Sequence, residues 1–179
     1  KVKLKETEIG LIPEHWEVVK LGEIIHYKKG KKPKEVLDNW ERDFLPYLTA
    51  EFFRTSKPSN FVDIKNDKSI EIVEPEDIVL IWDGSNAGDI FTGLKGVLAS
   101  TMVKINILDK NKVSEKLIYY FLKTKFNILN TSTTGSTIPH VNKSIFENLL
   151  TPLPPLPEQK AIAEILSKID QKIEAEENK

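Results

Sequence analysis

The 179-residue sequence contains no cysteine, which excludes disulfide staples, thiolate metal sites and cysteine nucleophiles together. Histidine is nearly as scarce: His15, His26 and His140 are widely scattered, so no zinc-type cluster is expected. Long apolar runs are missing as well. No stretch approaches the ~20 apolar residues of a membrane-spanning helix, and the opening Lys1-Val2-Lys3-Leu4-Lys5-Glu6 lacks the apolar core of a secretory leader. A cytoplasmic chain with no membrane partner is the expectation. A bulk excess of charge is also lacking, since 26 Lys and Arg against 27 Asp and Glu leave a net charge of -1. The overall basic balance common among nucleic-acid binders is therefore absent, and any such role must rest on how charge is distributed.

What is present is an ordinary globular composition, 40% hydrophobic and 30% charged, in a length suited to one sizeable core with an appended element. Charge is segregated along the chain. Lys28, Lys29, Lys31, Lys32 and Lys34 fall within seven residues, and Gly30 and Pro33 among them suggest an exposed loop; Glu158, Glu164, Asp170, Glu174, Glu176 and Glu177 crowd the end. Punctuation at Gly10 and Pro13 precedes a β-prone run ending at Gly22, with Trp16 as a core or interface anchor. Aromatic residues from Trp40 to Phe61 recur without helical period and are broken by Pro46 and Pro58, as in short strands and loops.

Ser69–Val73 alternates like a half-buried strand, and Ile78–Trp82 is an apolar run of strand length leading into the turn-rich Asp83–Asp89. Val97–Ala99 and Met102–Ile107 predict further strands. Ser114 is placed to cap a helix carrying Leu117, Ile118, Phe121, Leu122 and Phe126. Thr131–Thr137 is a polar loop, and the spacing of Ser144 and Glu147 fits a capping box for a short helix. The prolines of Pro152–Pro157 impose an extended backbone, after which Pro157 and Glu158 can open a helix of roughly twenty residues. Along it Ile162, Leu166, Ile169 and Ile173 recur at four, three and four residues in otherwise polar surroundings. That narrow stripe is the pattern of a coiled-coil seam, which must be buried against a partner helix or against the body of the chain.

Several of these segments together resemble a known family. Gly135-Ser136-Thr137-Ile138-Pro139-His140-Val141-Asn142, then Leu149 to Gln159, then Ile162, Leu166, Asp170 and Ile173, are similar to the end of a target recognition domain and the helix that follows it in specificity subunits of type I restriction-modification enzymes. Ile9-Gly10, Pro13-Glu14-His15-Trp16 and Lys20-Leu21-Gly22 resemble the start of such a domain. Residues 31–130 match loosely, and Glu76-Asp77 stands where the family commonly has a glycine before an aspartate, a departure that bears on the geometry of the local turn. The resemblance implies an α/β (α+β) fold, a mixed-sheet recognition domain over residues 1–156 followed by a projecting coiled-coil helix over 157–179. It also implies double-stranded DNA as ligand, methyltransferase subunits as direct partners and the restriction subunit as an indirect one. S-adenosylmethionine, ATP and Mg would then sit on those partners and no cofactor in this chain. A homodimer through the helix, or a second domain within a longer subunit, would supply the other half of a split site.

A catalytic alternative finds little support in the residues. The only Pro-Pro, in Leu153-Pro154-Pro155-Leu156, lacks the polar and aromatic neighbours of an adenine-methylating loop, and Gly84–Gly88 lacks the lysine of a phosphate-binding loop. Asp63, Lys65 and Glu71 could be forced into a metal-nuclease pattern, but such spacings arise by chance at this charge content. A scaffold protein using only the C-terminal helix would leave the polar loops idle. For DNA reading, the candidates are Lys28, Lys29, Lys31, Lys32 and Lys34 on phosphates, with Ser85, Asn86, Thr134, Ser136, Thr137, His140, Asn142 and Lys143 on base edges or backbone. Asn142 has the alternative duty of capping the next helix.

Overall fold

The run Ile78–Ile81 is buried at all four positions, and the strand it makes anchors one of two four-stranded sheets. The computed structural model describes residues 2–135 and 137–177. In chain order the strands are β1 (Leu4–Thr7), β2 (Gly10–Pro13), β3 (Glu17–Lys20), β4 (Ile25–Lys29), β5 (Phe44–Leu48), β6 (Phe61–Asp63), β7 (Ile72–Val73), β8 (Ile78–Ile81), β9 (Ile90–Phe91), β10 (Gly96–Leu98), β11 (Met102–Ile107) and β12 (Leu150–Leu153). The helices are α1 (Ala50–Thr55), α2 (Glu115–Lys123), α3 (Phe126–Thr131), α4 (Lys143–Glu147) and α5 (Leu156–Glu177), with a 3-10 turn at Leu21–Glu23. The chain forms two compact units, one from residues 1–25, 107–124 and 143–179, the other from 26–106 and 125–142.

The second unit is mostly β. One sheet has the order β6-β5-β10-β7 and the other β4-β11-β8-β9. In the first, β5 and β10 are parallel while the other pairs are antiparallel; β8, β9 and β11 of the second are antiparallel. Leu48, Phe52, Val73, Val79, Ile81, Leu98, Ala99 and Met102 make a buried cluster, with Phe53, Phe91 and Leu94 packed against it. Gly96 has to be glycine: a Cβ there would lie 2.4 Å from the Pro46 carbonyl oxygen of the parallel neighbour β5. Strand β7 is shorter than the alternation of Ser69–Val73 predicts. The Ser69 N–H and hydroxyl both donate to the Asp67 carboxylate, at 2.9 and 2.6 Å, and this local turn takes the donor a ladder would need. Ahead of β8, the Asp77 carboxylate accepts from the Glu74 N–H at 2.9 Å and the Asp77 N–H donates to the Glu74 carbonyl at 3.0 Å. Glu76 does not need a positive φ in this turn, so glycine is dispensable there.

The first unit contains the β1-β2 hairpin, the antiparallel pair β3-β12 and helices α2, α4 and α5. Ser114 caps α2 as expected, its hydroxyl accepting from the Leu117 N–H at 3.4 Å. Phe126 is not part of that helix. The Thr124 hydroxyl captures the Phe121 carbonyl at 2.7 Å and ends α2, so Phe126 opens α3 instead. Helix α4 begins at Lys143, two residues earlier than a Ser144 cap requires, which leaves Ser144 inside the first turn.

Helix α5 has two different halves. Gln159 and Ala163 are fully buried on the side that packs against α2, and Lys123 of α2 pairs with Asp170 at 3.4 Å. Lys123 also lies 5.4 and 5.9 Å from the rings of Tyr119 and Tyr120. Ile162 and Leu166 are half-buried, whereas Ile165, Ile169 and Ile173 are 60%, 47% and 50% exposed. The beginning of the helix is therefore fastened to its own unit, and its apolar stripe is exposed from the middle onward.

Candidate nucleic-acid interface

In the second unit the backbone after β8 builds a short ladder of its own. Trp82 and Asp83 both donate their N–H to the Thr101 carbonyl, at 2.8 and 3.1 Å. On the other side Val141 donates to the Trp82 carbonyl at 2.9 Å and Gly84 to the Pro139 carbonyl at 2.8 Å. Asp83 thus bridges His140, which in turn exchanges both backbone hydrogen bonds with Thr134, at 2.8 and 2.9 Å. The Trp82 ring stacks on Tyr27 of β4, centroids 5.1 Å apart. Two loops far apart in sequence are locked together by main-chain bonds.

Side chains repeat the connection. The Asp83 carboxylate, 12% exposed, receives His140 Nδ1 at 2.6 Å on one oxygen and Lys29 Nζ at 2.6 Å on the other. Beyond it, Gly84 and Gly88 adopt φ values of 106° and 98° and shape the turn that carries Ser85 and Asn86, both exposed. The Asn130 side-chain amide donates to the carbonyls of Ser85 and Ala87, both at 2.9 Å. At the far end Arg54 donates to the Asp89 carboxylate at 2.6 Å and lies 5.8 Å from the Phe91 ring centroid. A Cβ on Gly88 would come within 2.9 Å of the Leu129 Cβ, so this turn sits directly on α3.

The lysine-rich stretch departs from the expected exposed loop. Lys28 and Lys29 belong to strand β4, where Lys28 pairs with Glu71 and Lys29 with Asp83. Gly30 and Pro33 are buried. A Cβ on Gly30 would lie 2.2 Å from the Ala99 carbonyl oxygen, so this glycine permits close backbone packing rather than marking an open turn. Lys31, Lys32 and Lys34 are exposed in irregular backbone, and among the described residues Lys31 and Lys32 make no ion pair. The segment is held by Asp67, whose carboxylate accepts the Lys34 N–H at 2.9 Å. Hydrogen bonds from Ser69 and then from the Lys34 and Ser69 backbone lower the Asp67 carboxyl to about 2. Partial burial works to raise the Glu71 carboxyl, but hydrogen bonds and charge from Lys104 and Lys28 outweigh it and hold it below the usual carboxylate range.

Thr134 and Thr137 are exposed and His140 is 45% exposed through its side chain, whereas Ser136 lies outside the described residues. Asn142 is half-buried just before α4. Lys143 belongs to the first unit, 3.8 Å from Glu147 on α4. Asp83, Asn130 and the Arg54–Asp89 pair were not singled out by sequence reasoning. Asp83 could have been: an aspartate directly between a buried apolar run and a glycine is placed to organise a turn. Nothing local to Asn130 or Arg54 indicates a role, because their partners lie 35 or more positions away. Among the described residues no group of three His, Asp or Glu side chains is arranged to hold a metal ion, and no helix is long and apolar enough to cross a membrane.

Residues 13–179 match the family described as type I restriction modification DNA specificity domain. The chain is 51% identical over 170 residues to the type I restriction enzyme MjaVIII specificity subunit of Methanocaldococcus jannaschii, covering 94% of this chain and 39% of that protein. It is 34% identical over 176 residues to the putative MjaX specificity subunit of the same organism, covering 95% and 40%. The chain thus spans about two-fifths of the length of these curated relatives. Among solved structures, the S subunit of a type I system from M. genitalium matches with a TM-score of 0.68 at 22% identity, over 89% of this chain and 40% of that one. The HsdS subunit from Thermoanaerobacter tengcongensis matches at 0.67 and 21%, over 92% and 39%. The mixed sheets, short helices and long final helix described above are thus the fold of those proteins.

Proposed function

The chain belongs to the family of type I restriction-modification DNA specificity domains, and from that membership we propose that it is a non-catalytic reader of double-stranded DNA within a specificity subunit. Residues 1–156 form the reading domain, and 157–179 begin the arm that joins it to the rest of an assembly. The observation that carries this reading is the backbone ladder through Asp83, His140 and Thr134. It carries Ser85, Asn86, Thr134, Thr137 and His140 on loops whose backbone is tied together at Asp83, Gly84, Thr134 and His140, which reduces the backbone ordering that binding would cost. Exposed Lys31 and Lys32 supply phosphate neutralisation, and the short polar side chains reach base edges.

The stripe Ile165, Ile169 and Ile173 pairs with another helix, from a second copy or from a longer subunit, and methyltransferase subunits dock near that arm. Methylation with S-adenosylmethionine and Mg- and ATP-dependent restriction belong to the partner subunits, the restriction subunit joining through the methyltransferase, all in the cytoplasm. Selection of bound sequences from a randomised duplex pool with the complete assembly is the direct test. Enrichment of a fixed sequence supports the reading; recovery of unbiased sequence at every salt concentration rules it out.

A further inference from the structure

The Asp83–His140 contact has a chemical consequence beyond rigidity. A carboxylate can only accept, so the hydrogen bond of 2.6 Å between Asp83 and His140 Nδ1 places the imidazole proton on Nδ1. In the neutral ring Nε2 is then left with a lone pair. The side chain is 45% exposed, and among the described residues Nε2 has no hydrogen-bond partner. Gly135 makes room for the ring in this position: a Cβ there would lie 3.0 Å from Cδ2 and 2.5 Å from the Ile138 carbonyl oxygen. The backbone bridge between Asp83 and His140 fixes the geometry from the other side. Lys29 on the second Asp83 oxygen, at 2.6 Å, keeps that carboxylate oriented.

We infer that His140 is a specificity-determining acceptor, whose Nε2 takes a hydrogen bond from an exocyclic amine in the major groove, adenine N6 or cytosine N4, with Asp83 and Lys29 as the positioning residues that set its polarity. This rests on the DNA-reading function proposed above. A phosphate oxygen or the guanine O6 and N7 atoms are acceptors and cannot pair with a lone pair. The same ring with its proton on Nε2 would have the opposite preference, so Asp83 dictates which base His140 selects without touching the DNA.

The test is a pool selection with the complete assembly at mildly alkaline pH, using wild type, His140→Ala and Asp83→Asn, with melting temperatures measured in parallel. In wild type one selected position carries adenine or cytosine. His140→Ala loses preference at that position alone, and affinity for the selected duplex falls about fivefold, the loss of one hydrogen bond. Replacing that adenine by purine, or that cytosine by 2-pyrimidinone, each lacking the amine, costs wild type about the same factor and costs His140→Ala nothing further. Asp83→Asn is the decisive variant. Lys29 requires an oxygen, so the new amide turns its NH2 toward His140 Nδ1, moves the imidazole proton to Nε2 and shifts the preference toward guanine. A merely structural role for Asp83 would lower affinity without changing the base chosen. The inference is overturned if His140→Ala weakens selected and random duplexes equally with a shallower salt dependence, which is a phosphate contact. Unchanged preference in Asp83→Asn of wild-type melting temperature overturns it as well. Wild type that selects no sequence removes the DNA-reading function itself.

Discussion

Gln159 is the one polar side chain at the start of α5 that is fully buried, and its replacement tests how that helix is fastened. Its Oε1 accepts the Ser114 N–H at 2.8 Å, and its Nε2 donates to the carbonyls of Lys112 at 2.8 Å and Pro154 at 2.7 Å. One amide therefore ties the first turn of α5 to the residue that caps α2. Leucine is close in size but leaves three backbone groups without partners. Loss of the buried bond to Pro154 costs about 1–3 kcal/mol, and the two partly accessible groups roughly 0.5–1.5 kcal/mol each. Burying an apolar side chain in place of the amide returns about 1 kcal/mol. The expected net loss is thus about 1–5 kcal/mol, a melting temperature lower by about 2–20 °C for a protein of this size. Trp16 is a built-in reporter, since its indole N–H bonds to Glu158 at 2.9 Å, and its fluorescence follows unfolding of the same unit. Gln159→Glu should be worse, because a carboxylate would face two carbonyl oxygens. If Gln159→Leu melts with wild type, these hydrogen bonds contribute nothing net and the helix is held by apolar packing alone.

Replacing Lys31 and Lys32 together by alanine should weaken binding to all duplexes alike and reduce the slope of log affinity against log salt by about 0.9 per lost phosphate contact; an unchanged slope measured by fluorescence anisotropy refutes that assignment. Ile169→Glu with Ile173→Glu, at half-exposed positions, should leave the melting temperature of the chain intact and abolish assembly in sedimentation velocity. Normal assembly would remove the stripe as an interface. Asp67, held at about 2 where a free aspartate titrates at 3.8, contributes stability that is complete above about pH 4 and is lost as pH falls toward 2, because the unfolded chain binds the proton more readily. The difference in denaturation midpoint between wild type and Asp67→Asn should therefore shrink over that interval; a constant difference would show that the proton is not involved.

Periodicity and punctuation were enough to locate β8, β11, the Ser114 cap and the final helix, because each depends on residues within one or two turns of itself. The apolar run of β8 has no polar face to offer water, and the spacing of Ile162, Leu166, Ile169 and Ile173 is independent of what lies against it. The resemblance in residues 135–173 carried the family for the same reason: its motifs are contiguous. What only the tertiary structure decided was the fate of groups whose partners are remote. Lys28 and Lys29 read as phosphate ligands until β4 is laid beside Glu71 and Asp83, Gly30 as a turn until the Ala99 carbonyl is brought against it, and the α5 seam as one continuous stripe until α2 covers its first turns. His140 was a candidate by its loop, but its carboxylate partner Asp83 lies fifty-seven residues away. Local sequence encodes backbone preference and apolar spacing; the pairing of charges and the direction of a hydrogen bond belong to the fold, since they depend on which distant atom is delivered to within about 3 Å.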